Sequence, residues 1–261
     1  MRKGFTLVEL SIVLVIIGLL IGGILVAQSM ITTSKVQAQI RQFSEFDVAV
    51  NNFNTSFNAL PGDLHLVGST AQTGLEGDGD RDSIIEGTIG TGSVISFSGE
   101  MGTFWNALSL TGLATKGAGT GGTTYVQFKT VVAGALVTGG ATANIPATVL
   151  GKAGVVAFGS AAGTNWYGVV TTDQYAGGAF TDSTGTDSAF KPADALAIDT
   201  KMDNGTADSG NVMRGATLAA SGPSIVTDIA ACSTTTTYNL ATTTNACDLV
   251  VRIGLPTGNP M

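Results

Sequence analysis

The sequence predicts an α+β protein in which one long N-terminal helix packs on a C-terminal domain that contains an antiparallel β-sheet. The first indication is a predominantly apolar run of 23 residues from Phe5 to Ala27, since about 20 apolar helical residues cross the hydrocarbon core of a bilayer. The second is that residues 28–58 contain neither proline nor glycine, so the helix can continue through them. The third is a series of β-branched and aromatic segments in the second half of the chain, separated by Gly, Ala and Ser turns.

Residues 28–58 form the amphipathic half of this predicted helix. Its apolar residues recur mostly three or four positions apart, the spacing of one helix face, and are Val36, Ile40, Phe43, Phe46, Val50, Phe53 and Phe57. Pro61 disfavours helical geometry in the residue before it, so we expect the helix to end near Asn58. The stripe predicts the face on which the globular domain, residues 59–261, rests, and a coiled-coil seam is the alternative.

One carboxylate, Glu9, lies inside the apolar run, and Arg2 and Lys3 precede the run. An ionisable group inside a membrane segment costs about 2.5–3.5 kcal/mol on insertion scales and usually has a partner. The single apolar run predicts a single-pass anchor. Its basic end is expected to stay on the cytoplasmic side. If the chain were cut after Gly4, the new ammonium of Phe5 on one subunit could neutralise Glu9 of a neighbour, so the buried charge would favour assembly.

The segment Lys3-Gly4-Phe5-Thr6-Leu7-Val8-Glu9-Leu10 resembles the processing site of type IV pilins and of the pseudopilins of type II secretion. In that family a prepilin peptidase cuts after the glycine and methylates the new N-terminal residue. The resemblance implies that residues 1–4 are a leader, that Phe5 is the methylated terminus and that Glu9 is the assembly carboxylate. It also implies the ladle-like pilin fold, with a long helix as its handle.

The resemblance further implies a structural function without enzymatic activity. The chain would be a subunit of a type IV pilus or a type II secretion pseudopilus, assembled with itself or with other pilins through residues 5–27, the transmembrane half of the helix. Its expected partners are the membrane, the prepilin peptidase, an assembly platform protein and an ATPase. We expect the C-terminal domain outside the cytoplasm, first on the inner (cytoplasmic) membrane and then in an extracellular or periplasmic filament. The alternative is a membrane-anchored surface adhesin or binding module, a minor pilin that does not form the bulk filament.

Charge and histidine content argue against two other classes of function. The net charge is −7, whereas nucleic-acid binding needs clustered Lys and Arg against the phosphates. His65 is the only histidine, so a catalytic triad would have a single possible base. We therefore expect neither nucleic-acid binding nor catalysis.

No cofactor is expected apart from calcium, for which two acidic segments are candidate sites. The carboxylates of the first alternate along a glycine-rich stretch and are Asp78, Asp80, Asp82 and Glu86. Alternate carboxylates of this kind can converge on one hard cation. The second segment, with Asp199 and Asp203 as candidate ligands, is similar to the calcium-holding aspartate loop of the major pseudopilins. For both segments the alternative is a solvated turn that the side chains close themselves.

The two cysteines, Cys232 and Cys247, both lie late in the chain. In an exported domain an even pair indicates a disulfide rather than a metal site. Many type IV pilins carry a disulfide-bonded loop near the C-terminus, so the resemblance implies the same pairing. Two reduced, buried thiols are the alternative.

The remaining pattern places one short helix and several strands in the C-terminal domain. A helix is predicted over residues 98–114, with Trp105 in the core. Strands are predicted over 124–131, 154–158, 166–171 and 247–253, and residues 195–198 fit either a short helix or a strand.

Overall fold

The structure is a computed structural model, and it describes residues 6–64, 79, 81–85, 94–96, 99–113, 145–150, 153–160, 163–171, 175–176, 179–181, 188–215 and 231–254. Its helices are α1 (Leu7–Phe57), α2 (Gly99–Leu110) and α3 (Pro192–Met202). Its strands are β1 (Val94–Ser96), β2 (Ala153–Gly159), β3 (Asn165–Thr171), β4 (Tyr175–Ala176), β5 (Ala179–Thr181), β6 (Val212–Arg214) and β7 (Leu249–Arg252). The predicted α+β class is confirmed, with a long apolar helix followed by a domain built on an antiparallel sheet.

Helix α1 runs unbroken for 51 residues, a length of about 77 Å at 1.5 Å per residue. It ends one residue before the predicted position, because Asn58 turns into the left-handed region at φ 50° and its N–H closes on the Asn54 carbonyl at 2.8 Å. Asparagine tolerates this conformation better than most residues do. The chain then reverses, so that Leu60 and Leu64 lie buried in the domain.

The main sheet has four antiparallel strands in the order β2-β3-β7-β6. Strand β3 lies at its centre, with Tyr167 opposite Ala157 on β2 and opposite Val251 on β7. A second sheet of three short strands has the order β1-β5-β4. The strands predicted over 154–158, 166–171 and 247–253 are confirmed as β2, β3 and β7, whereas the one predicted over 124–131 lies outside the described residues.

The core lies between the second half of α1, helix α2 and the main sheet. Phe46 contacts Trp105 of α2 edge-on, with ring centroids 4.7 Å apart, and Tyr167 of β3 lies 6.1 Å from Trp105. The predicted helix over 98–114 and the predicted core position of Trp105, which is 1% exposed, are confirmed. Residues 195–198 belong to helix α3, which packs on α1.

The predicted stripe on α1 is confirmed with one exception. Five of its members are buried and Ile40 is half-buried, but Phe57 is 38% exposed. The prediction for Phe57 was wrong because the helix ends there and the chain turns away. Its ring lies 4.6 Å from that of the neighbouring Phe53, measured between centroids. Packing starts at Val36, and every residue described before it is exposed.

Candidate functional site: the N-terminal helix

The first turn of α1 is closed by Thr6 and Glu9, which cap each other. The Thr6 hydroxyl donates to Glu9 Oε2 at 2.8 Å, and the Thr6 N–H donates to the same oxygen at 2.9 Å. The Glu9 N–H in turn donates to the Thr6 hydroxyl at 3.3 Å. This capping box satisfies main-chain donors that a helix start otherwise leaves unpaired. Gly4 and Phe5, the predicted processing residues, lie outside the described residues.

Glu9 therefore has a partner on its own chain, which sequence reasoning missed. The expected partner was a cation, yet Thr-x-x-Glu ahead of an apolar run is itself a capping signal. In the described part of the chain both bonds from Thr6 end on one carboxylate oxygen, Oε2. The arrangement sets the orientation of the Glu9 carboxylate, the only carboxylate in the apolar half of α1.

The apolar half of α1 projects from the domain with nothing packed on it in the described residues. Its large apolar side chains from Leu7 to Ile31 are between 45% and 86% exposed. By length and composition α1 is a helix that can cross a membrane. A surface of this size and polarity requires lipid or other apolar helices around it.

The amphipathic half of α1 is attached to the C-terminal domain by side chains that form hydrogen bonds with the main chain of that domain. Gln39, which is completely buried, accepts the N–H groups of Val149 and Leu150 at 2.8 and 3.2 Å. Gln42 donates to the carbonyl of Ala147, which lies in the same segment as Val149 and Leu150, at 2.7 Å. These contacts fasten the segment before β2 to helix α1.

The described part of the first acidic segment folds around a residue that the sequence did not single out, Asp63. Its buried carboxylate accepts the N–H groups of Arg81 and Ser83 at 2.6 and 3.0 Å. Asp82 is exposed and accepts the Ile84 N–H at 2.7 Å, which closes a turn. The other candidate ligands, Asp78, Asp80 and Glu86, lie outside the described residues, as does His65.

The second acidic segment is closed by its own hydrogen bonds. Asp199 is completely buried and accepts from the Gly205 N–H and the Tyr238 hydroxyl, both at 2.9 Å. Burial raises the pKa of the Asp199 carboxyl, and those two bonds act in the opposite direction. Asp203 accepts from the N–H groups of Asn211 and Val212.

No group of three or more His, Cys, Asp or Glu side chains among the described residues is arranged to hold a metal ion. Each of Asp82, Asp199 and Asp203 uses at least one carboxylate oxygen on a main-chain N–H. Calcium binding at either acidic segment stays a prediction.

The disulfide between Cys232 and Cys247 is formed, with the Cα atoms 4.9 Å apart, as predicted. It closes a loop that is tied to the second acidic segment, because the Ala207 N–H donates to the Thr236 carbonyl at 2.9 Å. Tyr238, in the same loop, carries the hydroxyl that reaches Asp199. The disulfide thus closes the loop whose Tyr238 is bonded to helix α3.

Residues 1–25 match the family model described as the prokaryotic N-terminal methylation motif. This is the prepilin signature of type IV pilins and pseudopilins. The prepilin signature covers 25 of 261 residues and supports a pilin-like or pseudopilin precursor that a prepilin peptidase processes. It suggests a structural, non-enzymatic protein, and with the apolar helix it is consistent with a single-pass membrane-anchored chain. No curated protein and no solved structure gave a significant match.

Proposed function

We propose that the chain is a structural subunit of a filament of the type IV pilus or type II secretion pseudopilus kind. Its precursor is cut after Gly4 by a prepilin peptidase, which methylates Phe5, and the mature subunits assemble through residues 5–27. The observation that carries the proposal is the exposed apolar surface of α1, which begins within the matched motif and contains a single carboxylate, Glu9.

The apolar half of α1 suits two surroundings, lipid and a bundle of identical helices. Burying one large aliphatic side chain contributes about 1.5–3 kcal/mol relative to water, and side chains such as Leu7 and Leu19 are 86% and 76% exposed. Lipid and a helix bundle satisfy this need about equally, so apolar burial alone does not select between them. Glu9 selects the bundle, because a neighbour's Phe5 ammonium would neutralise it there whereas hydrocarbon offers no counter-ion.

The orientation proposed for the subunit places the C-terminal domain outside the cytoplasm. Arg2 and Lys3 precede the apolar run, and basic residues stay on the cytoplasmic side. The Cys232–Cys247 disulfide agrees with an oxidising compartment. In this orientation the platform protein and the ATPase would act on the membrane and cytoplasmic sides, and the domain would cover the filament.

Immunoelectron microscopy tests the proposal in cells that contain the peptidase, the platform protein and the ATPase. An antibody against the C-terminal domain should label filaments along their whole length, and a strain without the ATPase should show no labelled filaments. Label that stays in the membrane while the machinery is intact would contradict a surface pilus and leave the short pseudopilus. Label confined to filament tips would favour the adhesin-like minor subunit instead.

A further inference from the structure

The loop after helix α3 contains Asn204-Gly205, the only Asn-Gly pair in the sequence. Asparagine is chemically labile, and a following glycine makes it more so, because glycine has no side chain to hinder attack on the asparagine amide. In this deamidation the Gly205 nitrogen bonds to Cγ of Asn204, the Cγ–Nδ2 bond breaks, and the amide group leaves as ammonia with the Gly205 proton. Water then opens the succinimide ring to aspartate or isoaspartate. Asn204 is exposed, so water reaches it.

The shape of this loop depends on both residues of the pair. Gly205 has φ 74°, in the left-handed region that favours glycine, and a Cβ there would lie 2.9 Å from Thr200 Oγ1. Asn204 Oδ1 accepts the Thr206 N–H at 2.7 Å, and its Nδ2 donates to the Ser209 carbonyl at 3.1 Å. The loop is therefore built on a pair that is reactive by its own chemistry.

Asp199 occupies the direction in which the new bond would have to form. The Gly205 N–H donates to Asp199 Oδ1 at 2.9 Å. In a succinimide, Cγ of the asparagine takes the place in the peptide plane that this hydrogen held. Here a carboxylate oxygen lies in that direction, while the Asn204 amide is bonded to Thr206 and Ser209. Before Gly205 can attack, its N–H must leave Asp199 and the Asn204 side chain must rotate.

The Asp199 carboxylate is itself held in place. Its side chain is completely buried, and its second oxygen, Oδ2, accepts the Tyr238 hydroxyl at 2.9 Å. A carboxylate is far too weak a base to take the proton from a peptide nitrogen. The contact with Asp199 therefore obstructs the attack of Gly205 and does not assist it.

We propose that Asn204 is a latent deamidation site, which the contact between Asp199 and Gly205 keeps closed in the folded chain. Deamidation to aspartate would replace the Nδ2 donor by a carboxylate that faces the Ser209 carbonyl. Deamidation to isoaspartate would add a carbon atom to the backbone at this turn. Either product removes a hydrogen bond that closes the loop, so the modification would loosen residues 203–211. This inference does not depend on the filament role.

Peptide mass spectrometry of the full chain in detergent micelles tests the proposal, after incubation at mildly alkaline pH. Deamidation at Asn204 should be at least about tenfold slower than in the same chain unfolded in guanidinium chloride, the lower end for a hydrogen bond to a charged group. Asp199→Ala should remove most of this protection, whereas Asp199→Asn, whose side-chain oxygen still accepts an N–H, should keep most of it. The matched control is Asp203→Ala, which releases two N–H groups at the other end of the loop but leaves the contact with Gly205.

A folded natural chain that deamidates as fast as the unfolded chain would overturn the proposal. Equal acceleration by Asp199→Ala and Asp203→Ala would also overturn it, since general loosening of the loop would then set the rate. If Asp199→Ala unfolds helix α3, hydrogen exchange of the natural chain decides the question. Deamidation and exchange both require the Gly205 N–H to leave Asp199, so folding should slow deamidation at least as much as it slows exchange of the Gly205 amide. Weaker slowing of deamidation than of exchange would contradict the role of Asp199.

Discussion

The hydroxyl of Thr6 donates to the carboxylate of Glu9 at 2.8 Å, so the single acidic side chain of the apolar half is held at the helix start by its own chain. The same carboxylate oxygen accepts the Thr6 main-chain N–H. Glu9 thus has two separable properties, a capping geometry and a negative charge. Variants that remove the charge and keep the cap, or remove the cap and keep the charge, show what each property contributes.

Glu9→Gln should be processed normally yet form no filaments. Glutamine can replace glutamate in a capping box, so the helix start is preserved, but the charge that would pair with a neighbouring ammonium is gone. Cleavage is read from the mass of the N-terminal peptide, and assembly from the amount of subunit in the sheared surface fraction. Filaments in natural amounts from this variant would remove the charge-pairing argument while leaving the cap intact.

Thr6→Val should lower filament yield, and Thr6→Ser should restore it. The side chain of valine keeps the shape of threonine but cannot bond to Glu9, and loss of such an N-cap costs about 1 kcal/mol. Glu9 keeps its charge in both variants, so a difference in yield reports the effect of the carboxylate's position and not of its charge. Yield is measured by immunoblot of the sheared fraction at equal levels of processed subunit. Equal yields from the valine and serine variants would show that the cap has no part in assembly.

Gln39→Leu should destabilise the domain by about 1–3 kcal/mol, the cost of leaving a buried donor unpaired. Gln39 accepts the N–H groups of Val149 and Leu150, and Leu150 is buried. The matched control is Gln37→Leu, since Gln37 is exposed on the same helix. Denaturant unfolding of the full chain in micelles measures the difference. Equal midpoints for the two variants would contradict the role assigned to Gln39.

Replacing both cysteines by serine should destabilise the fold by about 3 kcal/mol, the chain-entropy value for a loop of 15 residues. The loss should be largest around Tyr238 and Asp199, because the loop carries the hydroxyl that satisfies this buried carboxylate. Hydrogen exchange of α3 and of residues 203–211 locates the effect. If exchange rises uniformly across the domain, the disulfide does not act through this contact.

The sequence was informative where the interactions are local or periodic. The spacing from Phe43 to Phe53 identified the packed face of α1, and Pro61 with its neighbours marked the helix end to within one residue. The two late cysteines pointed to their bond. The Thr6–Glu9 cap was also local and could have been read from its spacing.

What the sequence concealed are polar side chains whose partners are distant main-chain groups. Gln39 looks like an exposed helix residue until Val149 and Leu150 are brought beside it, some 110 positions away. Asp63 resembles any turn residue, yet it organises Arg81 and Ser83. Main-chain donors leave no signature in the side-chain pattern, so only the tertiary fold reveals these contacts.

Mass spectrometry of the N-terminal peptide, taken separately from sheared surface filaments and from membranes, tests whether the chain is a processed filament subunit. We expect a peptide that begins at N-methylated Phe5 and is abundant in the sheared fraction. The same peptide confined to the membrane would contradict a surface filament and favour a short pseudopilus or a scarce subunit. An intact terminus at Met1 or Arg2 in both fractions would contradict the processing itself, and α1 would then be a plain membrane anchor.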